Sequence, residues 1–208
     1  MFLITLSPHH PVTLSFWSKR RMRSYTLFTL FGLKTTISSV GIVVYLLSIP
    51  VMGWVAARMR SLAPGSALLA GLLSVLVMFA SDWLHQWGHA RAARRTGYPM
   101  IGLHYYSLFS TSQYPPDEPP LLAAIHARRA LGGFWVNLLA GLLVAPLAFT
   151  LWPRGGVAGW LSGFTFVYNF LGGPAASLIP VDIPGVFTND GGTLWRLWRE
   201  TRAGKQEH

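Results

Sequence analysis

The sequence has no cysteine and few charged residues, and both shortages restrict what the protein can be. Without cysteine it has no disulfide framework, no thiolate metal site and no cysteine nucleophile. Charged residues make up 12% of the 208 residues, whereas a typical soluble domain has about 25%. Hydrophobic residues reach 51%. This balance argues against a water-soluble protein, and the length allows one domain or at most two small ones.

Acidic residues are especially scarce, with 7 Asp and Glu against 17 Lys and Arg. The resulting net charge of +10 would suit a nucleic-acid partner, but its distribution argues against one. Four stretches contain no Asp, Glu, Lys or Arg: Thr35–Ala57, Ser61–Ser81, Ala130–Pro153 and Gly155–Val181. Each has roughly the 20 residues needed to cross a hydrocarbon core. We predict an all-α polytopic membrane protein with about four transmembrane helices, near residues 35–57, 62–90, 130–152 and 157–179.

The basic residues predict how these spans are oriented. If the N-terminus is cytoplasmic, only Arg58, Arg60 and Arg154 of the 17 Lys and Arg lie in external loops. The positive-inside rule therefore predicts that both termini are cytoplasmic, in a plasma membrane of bacterial type. Anionic lipid headgroups are the expected partner of the basic segments.

The ends of the chain are expected to be tails around a membrane domain at residues 24–200. The basic cluster Lys19–Arg23 follows a short apolar stretch instead of preceding it, which is unlike a cleavable signal peptide. We expect residues 1–23 to form a flexible basic tail and residues 201–208 to form a C-terminal tail.

Two segments next to the predicted spans have the composition of strands. Tyr25–Ile37 is rich in aromatic and β-branched residues, with a turn expected at Gly32. Gly97–Gln113 is also β-prone, and the four prolines that follow it disfavour a helix. We expect short β-prone segments at the membrane interface.

The inner end of the second span carries two histidines that could bind a metal ion. His85 and His89 are four residues apart, so a helix places them on one face. Two imidazoles at this spacing can reach a single ion, as in zinc hydrolases. The alternative is that both histidines form hydrogen bonds across the helix bundle.

A carboxylate near the C-terminus could complete such a site. Asp190 follows the fourth span, on the predicted side of the two histidines, and precedes a glycine pair. It is either a third metal ligand or part of an Asx turn or helix N-cap. His104 and His126 lie in the loop before the third span, where we expect solvated histidines, and Asp182 is expected to be a turn residue.

Taken together, these motifs resemble those of the site-2 protease family of intramembrane zinc metalloproteases. The three matching motifs, over roughly residues 25–200, are HQWGHARAARRTGYPM (His85–Met100), SLIP (Ser177–Pro180) and NDGG (Asn189–Gly192), and GFWVN (Gly133–Asn137) is a weaker match. The resemblance implies one Zn²⁺ ion held by His85, His89 and Asp190. It also implies positioning roles for Asn137, Ser177 and Asn189, and transmembrane segments of other proteins as partners.

The chain departs from the family pattern at the position of the catalytic base. Gln86 stands at the position of the family's catalytic Glu, Phe134 replaces a Pro and Ser177 replaces an Asn. An amide cannot take up a proton, and a general base typically contributes about 10²–10⁴-fold to the rate. We therefore expect a homologue with little or no peptidase activity.

Two alternatives remain open at this point. The first is an active intramembrane metalloprotease with another base. Asp82 is the candidate, since it lies one helical turn before Gln86. We prefer Asp82 as a partner that orients an imidazole, as metal-bound histidines commonly have. The second alternative is a non-catalytic membrane protein that binds a metal or haem.

Overall fold

A computed structural model describes residues 23–183 and 187–206, so all but the last residue of the tail predicted for residues 1–23 lies outside the described residues. Six helices and six strands are described in these two ranges. The helices are α1 (Ser39–Arg60), α2 (Pro64–Arg95), α3 (Ala123–Leu151), α4 (Gly156–Val167), α5 (Gly173–Leu178) and α6 (Asp190–Gln206). The strands are β1 (Ser24–Leu30), β2 (Leu33–Ser38), β3 (Gly102–Tyr105), β4 (Ser110–Gln113), β5 (Asp182–Ile183) and β6 (Phe187–Thr188). Helix α6 thus continues past residue 200, where we expected a tail.

Three helices are long and apolar enough to cross a membrane: α1, α2 and α3 with the short 3-10 turn that follows it. The fourth charge-free stretch folds differently. It forms α4, a π-helical turn at Tyr168–Gly172 and α5, which follow one another without a break. The predicted class, a helical polytopic membrane protein, is confirmed, and the three candidate spans among the described residues agree roughly with the predicted four.

The two β-prone segments pair with each other in a single sheet. Its strand order is β1-β2-β3-β4, with β2 and β3 parallel and the other pairs antiparallel. Phe31 and Gly32 make the turn between β1 and β2 at φ angles of 50° and 79°. Strand β4 lies at one edge of the sheet. Its position matters because β4 lies against the histidine end of α2.

The first helix starts later than the charge-free stretch predicts. We expected a span from about residue 35, but Thr35, Thr36 and Ile37 pair with both neighbouring strands. Helix α1 begins at Ser39 because the Ser38 hydroxyl accepts a hydrogen bond from the Gly41 N–H at 2.9 Å. An absence of charge cannot separate the end of a buried strand from the helix that follows it.

Helix α2 is central, and glycines bring its neighbours into backbone contact. A Cβ atom on Gly71 would lie 2.7 Å from the backbone nitrogen of Gly53 in α1. A Cβ atom on Gly132 of α3 would lie 2.5 Å from the carbonyl oxygen of Gly88. Such small residues allow close helix packing in a membrane. Gly88 lies between His85 and His89, so the second contact fixes α3 beside them.

Candidate metal centre

Two histidines of α2 and one carboxylate of α6 converge on a common point. The Nε2 atoms of His85 and His89 are 2.9 Å apart. The Asp190 Oδ2 atom lies 3.6 Å from the first and 3.4 Å from the second. His89 is buried, with 4% of its surface exposed, and the Asp190 side chain is 21% exposed. These three side chains could hold one metal ion.

The spacing of the three atoms fits a tetrahedral ion. Ligand atoms about 2.0–2.1 Å from a tetrahedral zinc ion lie about 3.3 Å from one another. The measured separations of 2.9, 3.4 and 3.6 Å scatter around that value. Among the described residues, no fourth His, Asp or Glu joins the group. Three protein ligands with an open position are typical of catalytic zinc sites, whereas structural sites have four.

A backbone carbonyl orients His89. The His89 Nδ1 atom lies 2.7 Å from the carbonyl oxygen of Arg129 in α3. A carbonyl oxygen can only accept a hydrogen bond, so Nδ1 must carry the proton. In the neutral ring, the Nε2 lone pair then faces the cluster. This is how metal-bound histidines are commonly oriented.

The ring of His85 is positioned by a glycine instead. A Cβ atom on Gly133 would lie 2.5 Å from His85 Nε2 and 2.6 Å from Nδ1. The imidazole therefore occupies space that only glycine leaves free. His85 Nδ1 is buried and has no hydrogen-bond partner within the described ranges.

The carbonyl that contacts His89 belongs to Arg129, whose side chain is anchored by several contacts. The Arg129 guanidinium donates two hydrogen bonds to the Glu118 carboxylate, at 2.5 and 3.0 Å, and one to the Tyr98 carbonyl oxygen at 2.5 Å. It also lies 4.2 Å from the centre of the Tyr114 ring. A signal was present: Arg129 directly precedes the charge-free stretch of α3, where a charge needs a partner.

Asn189 fixes the start of α6 and thereby the third side chain of the cluster. Its Oδ1 accepts hydrogen bonds from the N–H groups of Val181 and Gly192, at 3.0 and 2.8 Å. Its Nδ2 donates to the carbonyl oxygens of Ala176 and Ile179, at 2.8 and 2.7 Å. Asn189 therefore provides the cap that was one alternative for Asp190, and it joins α6 to the end of α5.

Asp190 itself is poised as an anion. Burial acts to raise the pKa of its carboxyl group, but the neighbouring His85 and His89 outweigh burial and hold that pKa at about 2. The carboxylate is therefore ionised at neutral pH, as a metal ligand must be.

Gln86 and Asp82 form their hydrogen bonds with β4 rather than with the histidines. The Ser112 hydroxyl donates to Gln86 Oε1 at 2.7 Å, and Gln86 Nε2 donates to the Ser110 carbonyl oxygen at 3.4 Å. The Ser110 hydroxyl donates to Asp82 Oδ2 at 2.5 Å. The preferred interpretation of Asp82, as the hydrogen-bond partner of an imidazole, differs from this arrangement. His89 uses the Arg129 carbonyl instead, because α3 approaches closely at Gly132.

Asn137 and Ser177 are buried near the cluster but are not part of it. The Asn137 amide packs against Gly173, at the start of α5, and its Oδ1 has no hydrogen-bond partner in the described ranges. The carbonyl of Ser177 contacts Gly191 in the first turn of α6, where a Cβ atom would lie 3.0 Å away. Asn137 therefore lies where α3 meets α5, and Ser177 lies where α5 meets α6.

Three other candidates also lie apart from the cluster. The expectation that His104 is solvated is wrong: it is 6% exposed within β3, and its Nδ1 lies 2.7 Å from the Thr36 hydroxyl. Burial lowers the pKa of His104. His126 is half-buried in the first turns of α3. Asp182, in β5, accepts a hydrogen bond from the Thr188 hydroxyl at 2.6 Å.

Comparisons with known proteins agree with this architecture at the level of the fold. No protein-family model matches the sequence, and no curated protein does. Among solved structures, the chain is similar to the Site-2 Protease from Methanocaldococcus jannaschii, with a TM-score of 0.54 and 17% sequence identity. The match covers 86% of this chain and 73% of that one. The chain therefore has the site-2 protease fold, as the motifs predicted.

Proposed function

We propose that this chain is a zinc-binding homologue of the site-2 proteases with little or no peptidase activity. The observation that carries the proposal is the convergence of His85, His89 and Asp190 at separations of 2.9–3.6 Å. The chain has the site-2 protease fold, and three motifs of that family occur in the same order along it.

The donor set favours zinc. Two imidazole nitrogens and one carboxylate oxygen are a common ligand set for catalytic zinc. A bound zinc ion would polarise a carbonyl group and increase the acidity of a water molecule. His85, His89 and Asp190 would hold the ion, the Arg129 carbonyl would keep the His89 proton on Nδ1, and Asn189 would keep Asp190 in place.

The residue at the base position argues against efficient proteolysis. Peptide hydrolysis requires a group that takes a proton from water and delivers it to the leaving amine. The Gln86 amide has no basic site for that proton. Its oxygen accepts from Ser112 and its nitrogen donates to the Ser110 carbonyl. Both ends of the amide are therefore engaged with β4.

Specific contacts count against both alternatives. Asp82, the substitute base, directs Oδ2 to the Ser110 hydroxyl at 2.5 Å. A haem iron with two axial histidines binds one on each face of the porphyrin. The Nε2 atoms of His85 and His89 face each other at 2.9 Å, which leaves no room for a macrocycle between them.

A zinc-binding homologue with little or no peptidase activity would bind transmembrane segments of other proteins without cutting them.

Zinc content tests the metal site directly. We expect the purified full chain in bilayers to retain one zinc ion, and His89→Ala to lose it, because two ligands hold zinc far more weakly than three. His126→Ala is the matched control, since His126 lies outside the cluster, and it should keep the ion. A wild-type chain that takes up no zinc, even when zinc is added, would contradict the proposal.

Peptidase activity is tested with a panel of single-span peptides in the same bilayers. We expect no efficient cleavage by the wild-type chain, because the proton transfer has no base. Robust zinc-dependent cleavage that His85→Ala abolishes would show that the chain is an active protease. Asp82→Asn would then be the next variant to measure.

A further inference from the structure

Helix α6 provides a metal-site residue at its first position and exposes a surface of different chemistry in its next two turns. Trp195 and Trp198 are 48% and 44% exposed. Their rings stack on each other, with centroids 4.7 Å apart and planes at 24°. Three exposed arginines lie around them. We call this surface the Trp–Arg face, and it consists of Trp195, Arg196, Trp198, Arg199 and Arg202.

The Trp–Arg face carries charge of only one sign. The Arg202 guanidinium lies 4.1 Å from the centre of the Trp198 ring. Glu200 is only partly exposed, and at 100° per residue it lies at the border of the face, between Arg196 on one side and Leu197 on the other. Leu197 is buried, at 9% exposure. The acidic residue therefore borders the face beside Arg196, and the rest of the open side is cationic and aromatic.

The course of α6 takes this face from the metal site towards the membrane surface. Asp190 lies at His89, whose ring contacts the Arg129 carbonyl in α3. Further along α6, Arg196 and Glu200 lie within electrostatic range of His126, at the start of α3. Helix α6 therefore runs beside the first turns of α3, towards the end of the bundle where α3 begins.

Distances along the helices match the depth of lipid headgroups. At 1.5 Å per residue, the three arginines lie about 9–18 Å along α6 from Asp190. The two histidines lie about 7–14 Å along α2 from Arg94, in the last turn of that helix. Tryptophan prefers the membrane interface, and arginine is attracted to anionic headgroups. A headgroup layer satisfies both kinds of side chain, whereas water leaves two stacked indoles exposed.

We propose that the Trp–Arg face docks on the anionic phosphate headgroups of the surrounding bilayer, and that this docking holds Asp190 against His85 and His89. The second half rests on the proposed zinc site. Asp190 is the only member of the cluster outside α2. Asn189 fixes the point at which α6 begins, and Asp190 is the first residue of the helix, so the direction in which α6 leaves that point determines where the carboxylate lies.

A fluorescent label tests the docking. The chain has no cysteine, so Thr201→Cys, next to the face, places one environment-sensitive dye at a single exposed site. In nanodiscs, addition of phosphatidylglycerol to phosphatidylcholine should shift its emission to the blue, and high salt should reverse the shift. The same dye at Asp117→Cys, in the exposed loop before α3, should not respond.

Charge-matched variants separate the face from net charge. Each arginine near an anionic surface contributes roughly fivefold to binding. Replacing Arg196, Arg199 and Arg202 with Gln should therefore weaken docking by roughly a hundredfold and abolish the shift. The control replaces three other exposed arginines from the same end of the bundle with Gln: Arg91, Arg95 and Arg128. It removes the same charge and should keep the shift.

Zinc affinity, measured by competition with a chelator in the same nanodiscs, tests the coupling. We expect zinc to bind about tenfold more tightly in anionic bilayers, a difference that the α6 triple variant should lose and the control should keep. An unchanged label signal would overturn the docking. A label shift with equal zinc affinity in both bilayers would overturn the coupling. If no zinc binds in either bilayer, the proposed function and the coupling both fail, while the label still decides the docking.

Discussion

Two pairs of side chains at the inner end of helix α2 have different partners, although all four lie within about 100° of one another around the helix. His85 and His89 point towards Asp190, with separations that suit a tetrahedral metal ion. Gln86 and Asp82 form hydrogen bonds with the serines of β4 instead. The same part of the helix thus carries side chains that could hold a metal ion beside a Gln that contacts a strand. One helix can therefore have side chains arranged to bind a metal ion without having a side chain that accepts a proton.

The difference follows from what holds each pair. The histidines are fixed by backbone and glycine contacts: the Arg129 carbonyl on His89 and Gly133 against His85. Such contacts tolerate little substitution, because no other residue leaves the same space. Gln86 and Asp82 are held by hydrogen bonds to Ser110 and Ser112. A Gln is well suited there because it can donate to one serine and accept from the other.

Among substitutions outside the three proposed ligands, the largest expected decrease in zinc affinity comes from filling the space beside His85. Gly133→Ala places a Cβ atom within 2.5 Å of His85 Nε2, so the ring must leave its position. We expect zinc affinity to fall on the order of 100-fold, the upper end for loss of a group that supports a metal ligand. Chelator competition measures it.

Gly65→Ala is the control for that substitution. Gly65 lies in the first turn of α2, and an added Cβ atom there meets nothing within 4 Å. The variant should keep its zinc affinity. Equal affinities for Gly133→Ala and Gly65→Ala would show that the close packing on His85 does not determine its position.

An intermediate decrease in zinc affinity is expected when the side chain of Arg129 is replaced, because the Arg129 carbonyl oxygen contacts the His89 ring. Arg129→Lys keeps the charge but loses the paired hydrogen bonds to Glu118, because an ammonium group lacks the planar fork of a guanidinium. The loosened carbonyl should lower zinc affinity by about tenfold. Arg128→Lys, at the exposed neighbouring position, should leave it unchanged. A normal zinc affinity in Arg129→Lys would mean that packing alone holds the His89 ring.

The features that the sequence predicted well are those that depend on local spacing. The four-residue interval of His85 and His89 is enough to place them on one face of a helix. The charge-free stretches indicated the membrane helices, and the composition of Tyr25–Ile37 indicated a short strand, where the structure has the β1–β2 hairpin. Asp190 came from a family motif rather than from spacing, since it lies 101 residues beyond His89.

The features that were missed depend on contacts between distant segments. Arg129 contacts Glu118 and Tyr98, 11 and 31 residues away, and no local pattern indicates which carbonyl meets His89. The serine partners of Gln86 lie 24 and 26 residues along the chain. Their position depends on the register of β3 and β4. The interpretation of Asp82 differed from the structure for the same reason.

The smallest expected change in zinc binding comes from restoring the acid at position 86. Gln86→Glu keeps an oxygen that accepts from Ser112 but replaces the donor to Ser110 with a second oxygen facing a carbonyl. That carboxylate also lies one turn from Asp82, whose own oxygen reaches the Ser110 hydroxyl. We expect the free energy of unfolding to fall by about 1–3 kcal/mol, as for a buried acceptor without a partner. Zinc affinity should stay within about twofold, since the three proposed ligands are unchanged and the new carboxylate is expected to stay hydrogen-bonded to Ser112.

Thermal unfolding, zinc competition and peptide cleavage are measured together on Gln86→Glu. They show whether the new carboxylate stays hydrogen-bonded to β4 or accepts a proton at the metal. Gln113→Glu is the matched control, because Gln113 ends β4 and is exposed, so the same chemical change there should be nearly neutral for stability. If Glu at position 86 remains tied to β4, cleavage stays absent although zinc is bound. If Gln86→Glu instead gains zinc-dependent cleavage without loss of stability, position 86 reaches the metal. The departures at Phe134 and Ser177 would then have left substrate positioning intact. The identity of the side chain at position 86 would alone explain the absence of cleavage in the wild-type chain.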